Sequence, residues 1–362
     1  MKFKIIRSNF FEGLKKVQNI VGSKGSLPII QNVLIEAKGK EITLTTTDLD
    51  ISIRCRVECE VMEAGSTTIP VKMLFNSIIK APEGEVTVEI DAREQATIKA
   101  GSARYRIMGK SKDEFPKMGE LENANEYKIG VSVLKEMFRK THYAASVDDT
   151  RRTLKSVFMK FADHKLTMVA TDGRRMALVE SELEFAKPAD IVLPYKTVQE
   201  LMRTLEGEDE VKITVAASRI VFCYGGIELN SKLIEDVYPN YAQVIPEKCN
   251  EKITIDRQLL LDAIERATVM RIDESQSTRL IFELNRLTVS SAANDIGEVK
   301  DEVPVKYAGE KTEITFNPDY LMAPLKAIDD DEIVFCLKDG QSPAVIRCSI
   351  PFLYVIMPLR VS

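Results

Sequence analysis

Histidine is nearly absent from this sequence. His142 and His164 are its only two in 362 residues. The six cysteines, Cys55, Cys59, Cys223, Cys249, Cys336 and Cys348, include no C-x-x-C pair. So few clustered nitrogen and sulphur ligands argue against a zinc site, and the thiols read as reduced side chains of a cytosolic protein. No run approaches ~18 consecutive apolar residues, which excludes a membrane-spanning helix. The start, MKFKIIRSNFFEGLKKV, lacks the apolar segment and small-residue cleavage site of a secretory signal, so the chain is expected in the cytoplasm. A net charge of −5 excludes coating of nucleic acid by the whole surface but not by one local basic face.

Catalytic motifs are missing too. Met108-Gly109-Lys110-Ser111 ends like a phosphate loop, but Arg104 stands where the first glycine belongs, and the strand–loop–helix setting is absent. Asp48-x-Asp50 reads as the turn at a strand end. Asp329-Asp330-Asp331-Glu332 reads as a solvated turn without the glycine of a calcium loop. No serine or cysteine stands in a nucleophile elbow. The expectation is a non-enzyme with no metal and no cofactor.

What the sequence does contain is repetition. Leu166–Leu178, LTMVATDGRRMAL, reads as an alternating strand, a polar corner and a return strand. Ile42–Ile53, ITLTTTDLDISI, is a near copy, and Leu287–Asp295, LTVSSAAND, a weaker one. Phe3 to Asp48 and Tyr127 to Asp172 both span 45 residues. Ile69-Pro70-Val71-Lys72 returns as Leu193-Pro194-Tyr195-Lys196, 124 residues on, and faintly as Ile314-Thr315-Phe316-Asn317, 121 further. A period near 120 residues with matched element order means three copies of one domain, at 1–122, 123–248 and 249–362. Each copy reads helix, strands, helix, strands: α+β architecture, two helices packed on antiparallel sheet.

The helical faces follow the 3.6-residue period. Asn9 and Glu12 have capping-box spacing ahead of Phe10, Leu14, Val17 and Val21. Later helices place inside Leu74, Phe75, Ile78 and Ile79; Val133, Leu134, Met137 and Phe138; Val198, Leu201, Met202 and Leu205; and Leu259, Leu260, Ala263, Ile264 and Ala267. Lys15, Lys16, Lys135, Arg139, Lys140, Lys196, Arg203, Arg257 and Arg266 fall outside or at the ends. Asn317-Pro318 is a good N-cap and first position for the last helix. In the third copy, strands are expected at Arg279–Leu284, Leu287–Ser291 and Glu313–Phe316. Basic helix faces gathered on one side of a curved sheet would contact phosphates without reading bases.

LPIIQNVLIEA, TTDLDI, RRTLKSVFM, ATDGRRMAL, EDVYPNY and the terminal YVIMPLR together resemble the bacterial DNA polymerase III β subunit family, the sliding clamps, over the whole chain. The resemblance implies a head-to-tail homodimeric ring of six similar domains, with helices lining a channel around duplex DNA. A clamp loader opens it, and it tethers the replicative polymerase α subunit and other polymerases and repair proteins through short hydrophobic peptides. It also implies a peptide pocket lined by Leu154, Thr171, Gly173, Arg174, Arg175 and Met176, by Pro239 and Val244, by Asn317 and Tyr320, and by Val355, Ile356, Met357, Pro358, Leu359 and Arg360. On residues alone, the tail reads equally well as a terminal edge strand. DNA contacts are expected from Lys24, Arg151, Arg152, Lys15, Lys135, Arg139, Lys196, Arg203 and Arg266. The dimer seam is expected to join Tyr105 and Ile107 to Val269 and Met270. Departures from the family pattern are Gln243, Arg152-Thr153 and the extension Val361-Ser362. The competing reading is a monomeric repeat adaptor that binds peptides but does not encircle DNA.

Overall fold

The computed structural model describes residues 1–22, 27–117, 124–148, 150–207, 209–246, 249–269, 277–293, 297–348 and 351–360. The first third contains β1 (Lys2–Ile6), α1 (Arg7–Val17), β2 (Asn32–Lys38), β3 (Glu41–Thr47), β4 (Ile51–Glu58), β5 (Glu60–Glu63), β6 (Gly65–Pro70), α2 (Val71–Lys80), β7 (Glu85–Ile90), β8 (Gln95–Ala100) and β9 (Ala103–Met108). The second contains β10 (Asn125–Gly130), α3 (Val131–Thr141), β11 (Ser156–Ala162), β12 (Lys165–Thr171), β13 (Arg175–Glu182), β14 (Ala189–Pro194), α4 (Tyr195–Thr204), β15 (Glu210–Val215), β16 (Arg219–Tyr224) and β17 (Ile227–Lys232). The third contains β18 (Glu251–Asp256), α5 (Arg257–Thr268), β19 (Thr278–Glu283), β20 (Arg286–Ala293), β21 (Gly297–Pro304), β22 (Thr312–Phe316), α6 (Pro318–Ala327), β23 (Glu332–Leu337), β24 (Ala344–Arg347) and β25 (Phe352–Ile356).

These elements sort into two compact units, Met1–Ser132 with Arg203–Leu233, and Val133–Met202 with Ile234–Ser362. The first unit holds a five-stranded sheet, β5-β1-β7-β8-β9, and an eight-stranded sheet, β10-β15-β16-β17-β4-β3-β2-β6. The second holds an eight-stranded sheet, β14-β11-β12-β13-β25-β24-β23-β18, and a four-stranded sheet, β21-β20-β19-β22. Neighbouring strands pair antiparallel throughout, for example β3 with β4 and β12 with β13. Alternation puts Val86, Val88 and Ile90 of β7, with Ala96, Ile98 and Ala100 of β8, into the core, while Glu85, Glu89 and Lys99 stay outside.

The repeat is visible at the level of single hydrogen bonds. At the β3–β4 corner, Asp48 Oδ1 accepts from the Asp50 and Ile51 N–H groups at 3.0 and 2.8 Å, and Leu49 N–H donates to Thr47 Oγ1 at 3.0 Å. At the β12–β13 corner, Asp172 Oδ1 accepts from Arg174 and Arg175 at 2.8 and 3.0 Å, and Gly173 N–H donates to Thr171 Oγ1 at 3.1 Å. The Asp48 carboxylate is thus committed to a turn, as the sequence implied. Both corners need one residue with positive φ, Gly173 at 87° and Leu49 at 82°. A leucine there is strained by ~1–2 kcal/mol, against ~0.5–1 kcal/mol for the extra unfolded-state freedom of glycine. Leu49→Gly is therefore expected to raise thermal stability slightly, and Gly173→Ala to cost about 1 kcal/mol, both measurable by calorimetry.

Several local expectations are corrected. Asn9 lies inside α1, not at its cap. The helix begins at Arg7, whose backbone N–H reaches Gly84 O at 2.8 Å and whose guanidinium donates to Ile78 O and Ile79 O at 3.0 and 2.8 Å. The guanidinium thereby caps the end of α2. Arg257 does the same for α6, donating to Leu325 O at 3.0 Å and to Asp330 O at 2.8 Å. Ile79, Val133 and Leu259 are exposed rather than inside, whereas Lys140, expected outside, is buried with its ammonium 3.0 Å from Glu136. Strand β21 was not foreseen. The tail strand β25 is no edge; it lies between β13 and β24.

Candidate functional site

The residues that the resemblance assigns to a peptide groove all lie within the second compact unit. The base of that groove is the joint between β13 and β25, with Arg175 opposite Ile356 and Met176 opposite Val355. Beyond β25 the chain continues outward on two main-chain bonds, Met357 N–H to Arg174 O at 2.9 Å and Leu359 N–H to Thr315 O at 2.8 Å. These hold the tail between the Asp172 corner and β22. They leave Met357 and Leu359 44% and 40% exposed, two apolar side chains close together on one ordered segment. Val244 on the short 3-10 turn Tyr241–Val244 is also exposed, as are Pro239 and the neighbouring Val237, which the sequence reading missed.

Three of the expected lining side chains serve differently. Met176, Val355 and Ile356 are buried, at 1%, 2% and 0% exposure. Met176 and Val355 join Phe158, Tyr238 and Val345 in one apolar cluster, with Tyr238 stacked on Phe158 at 4.9 Å. They form the floor, because β25 is covered on both faces. Leu154, Thr171 and Pro358 are half-buried, and Gly173, Arg174 and Arg360 are exposed. A separate open cleft, ≈ 1190 Å³, shares only Met357–Arg360 with the expected lining and is otherwise bounded by Arg279, Glu313–Thr315 and the turn Asp339–Ser342. None of those was expected. The turn's Asp339 carboxylate accepts from the Gln341 and Ser342 N–H groups at 2.9 and 2.6 Å, a signal of a fixed loop but not of a site.

Arg175 ties the walls together. Its side chain is 14% exposed and its Nε lies 3.0 Å from Asp172. The guanidinium carbon sits 4.3 Å above the Tyr320 ring. It lies beside Tyr354, whose hydroxyl donates to Tyr320 O at 2.8 Å. Burial opposes the charge on Arg175, but Tyr354 and Asp172 more than offset it and hold its pKa above the usual range. Burial also pushes the Tyr354 hydroxyl up, so it stays a neutral donor. Asn317 caps α6, its Oδ1 accepting from Asp319 N–H at 2.9 Å, and so presents Tyr320 one turn later. Tyr354→Phe leaves the Tyr320 carbonyl without its donor. It is expected to cost about 1–3 kcal/mol in denaturant unfolding while the protein still folds.

The basic residues divide. Arg203 donates to Lys15 O and Lys16 O at 2.9 and 2.7 Å, capping the end of α1. Arg139 is held by Glu136 at 2.7 Å and by Asp329, and Arg266 by Asp301. Lys15 lies 3.5 Å from Glu12. Lys196 and Arg152 are exposed and Lys135 is half-buried. Arg151 is exposed beside the groove, its Nη1 3.7 Å from where a Cβ on Gly173 would stand. Lys24 and Met270 lie outside the described residues. Tyr105 is half-buried and Ile107 buried on edge strand β9, while Val269, just past α5, is 75% exposed. Among the described residues no group of three or more His, Cys, Asp or Glu could hold a metal ion, and no helix is long and apolar enough to cross a membrane.

A thrice-repeated body of paired helices on antiparallel sheet, joined strand to strand and carrying an apolar groove at one joint, defines a protein of the clamp class. Models of the DNA polymerase III beta subunit match all three repeats: its N-terminal domain at residues 1–119, its central domain at 128–240 and its C-terminal domain at 242–360. Beta sliding clamps of Chlamydia muridarum and Synechococcus elongatus are 31% and 32% identical, with 99% of this chain and 99% of each relative covered. Crystal structures of the Pseudomonas aeruginosa DNA polymerase III subunit beta and the Bacillus subtilis DNA polymerase sliding clamp superpose over 100% of both chains. Their TM-scores are 0.94 and 0.95, at 28% and 25% identity. The chain belongs to the DNA polymerase III beta subunit family, and its function is that of a sliding clamp.

Proposed function

We propose that two copies of this chain close head to tail into a ring around duplex DNA, and that the groove at the β13–β25 joint holds short peptides of a replicative polymerase and other partners. The observation that carries this is the pattern of strand edges. One joint pairs β4 with β17, the other the equivalent β13 with β25. The next members of the two series are β21 and β9, and both stand at sheet edges. Their half sheets, of four and five strands, complete a further large sheet only if β21 of one copy meets β9 of another.

The shared face follows. Ile51 pairs with Ser231 and Arg175 with Ile356, in each case the third residue after the corner aspartate against the fifth of the partner strand. β20 pairs Ala293 with Gly297 where β12 pairs Thr171 with Met176, so the rule carries over only as a face: buried Ile107 and Val303 belong on one side, and Arg104, Arg106, Glu298 and Glu302 on the other. Arg104 and Arg106 are exposed on β9, and Glu298 and Glu302, with exposed Lys300 between them, on β21, so the two edges carry charge of opposite sign in excess. Helices follow suit. Arg203 stands on α4 where Ile79 stands on α2, so the end of α1 predicts that the end of α5, at Val269, meets Ile79 of the next copy. Ile79 is 40% exposed, which suits an apolar contact. The domain limits 1–122, 123–248 and 249–362 belong to this reading.

In the ring, exposed Arg152 and Lys196 with half-buried Lys135 would supply phosphate contacts, and Lys15 and Lys24 belong to the same proposed lining. Arg139, Arg203 and Arg266 act first as braces. The clamp adds no chemistry. It raises the local concentration of a tethered polymerase in the cytoplasm. Light scattering should return twice the 40.7 kDa chain mass; a monomer at micromolar concentration would favour the peptide adaptor instead.

A further inference from the structure

We infer that Cys249 and Cys336 form a redox-responsive thiol pair that closes to a disulfide, locking the approach to β18 onto β23. Cys336 is a buried member of the apolar cluster under the groove, and half-buried Cys249 packs against that cluster. Backbone pairing brings their segments together. Asn250 N–H donates to Leu337 O at 3.0 Å, and Lys252 lies opposite Cys336 in the ladder. The Cys249 thiol donates to Glu251 O at 3.0 Å, and it lies close enough to Cys336 to influence that thiol's titration. Both cysteines line one small cavity of ≈ 20 Å³, bounded also by Pro246, Pro343, Val345 and Arg347, which gives room for the shift that S–S contact requires.

The oxidant is a hydroperoxide. Its terminal oxygen transfers to the Cys249 thiolate, giving a sulfenic acid and an alcohol. The Cys336 sulphur then attacks the Cys249 sulphur. The S–S bond forms as the S–O bond breaks, and the departing hydroxide takes the Cys336 proton as water. In sum, two thiols and one hydroperoxide give one disulfide, one alcohol and one water. Burial, reinforced by Cys249, pushes the Cys336 thiol up to about 12, while Arg347 and Lys252 pull the other way. The second step is therefore slow at neutral pH, suited to sustained oxidative exposure rather than peroxide scavenging. The inference does not depend on the groove holding peptides.

The test treats the full-length protein with cumene hydroperoxide, blocks remaining thiols with iodoacetamide and digests with trypsin. A cross-linked peptide joining Cys249–Lys252 to Ala327–Lys338 is expected. It should vanish on reduction and be absent from Cys249→Ser and from Cys336→Ala. The oxidised wild type should melt several degrees higher than the reduced protein, and oxidised Cys249→Ser should not. Alkylation of both cysteines to the same extent as untreated protein would overturn the inference. So would oxidation that stops at sulfinic acid on Cys249 alone.

Discussion

Arg104→Asp combined with Arg106→Asp is expected to convert the dimer to monomer, weakening association at least about a hundredfold. Both arginines are exposed on edge strand β9, on the outer face that an antiparallel meeting shares with exposed Glu298 and Glu302 of β21. Close charge pairs at interfaces couple by ~1.5 kcal/mol or more each, and reversal adds repulsion to the lost attraction, so two reversals remove ~3 kcal/mol or more. Folding should be spared, because the sheet hydrogen bonds of β9 are main-chain bonds to β8. Sedimentation equilibrium measures the shift. The shared face makes a sharper demand: Glu298→Arg with Glu302→Arg on the opposing edge should restore part of the association to Arg104→Asp with Arg106→Asp, and none to a variant altered at Ile79. No rescue would mean that the strands meet on other faces or not at all.

Met357→Ala with Leu359→Ala is expected to cut affinity for a glutamine-containing hydrophobic peptide about a hundredfold while leaving the dimer intact. These two side chains are the most exposed apolar groups of the tail, and their positions are held by main-chain bonds that alanine preserves. Truncating a central apolar anchor typically costs 1–2 kcal/mol or more, and two adjacent anchors roughly double that. Fluorescence anisotropy with a labelled peptide reads the loss. The buried floor residues Met176 and Val355 give a contrast: shortening either should lower stability by 2–5 kcal/mol, as core cavities do, before it changes peptide affinity specifically. Retained affinity in the tail variant would move the peptide site elsewhere.

The period of the chain was legible because the corner Thr-Asp-x-x recurs with its alternating strands, and the same side-chain bonds close it twice in the structure. The groove was legible only in part. The pairing of β13 with the tail brings Arg175 opposite Ile356, a meeting of distant strands that no local pattern encodes, and the cleft bounded by Arg279, Glu313 and Asp339–Ser342 on the tail carries no motif at all. Strand β21 was invisible because Glu298-Val-Lys-Asp-Glu-Val303 carries its charges on an edge. An edge needs no apolar alternation on both faces and reads like a loop. Helical period placed Ile79, Val133 and Leu259 inside, because it marks an apolar stripe without saying where the stripe ends. Arg203 looked like a phosphate contact. Its use in capping the carbonyls of α1 depends on a helix from another repeat arriving there, which is tertiary information.

A topological trap tests the ring most directly. The protein, labelled and loaded by a clamp loader with ATP onto nicked circular duplex, should co-elute with the DNA through gel filtration at moderate salt. It should be lost when a restriction enzyme linearises the circle. Equal retention on circular and linear DNA, or equal loss from both, would contradict a closed sliding ring.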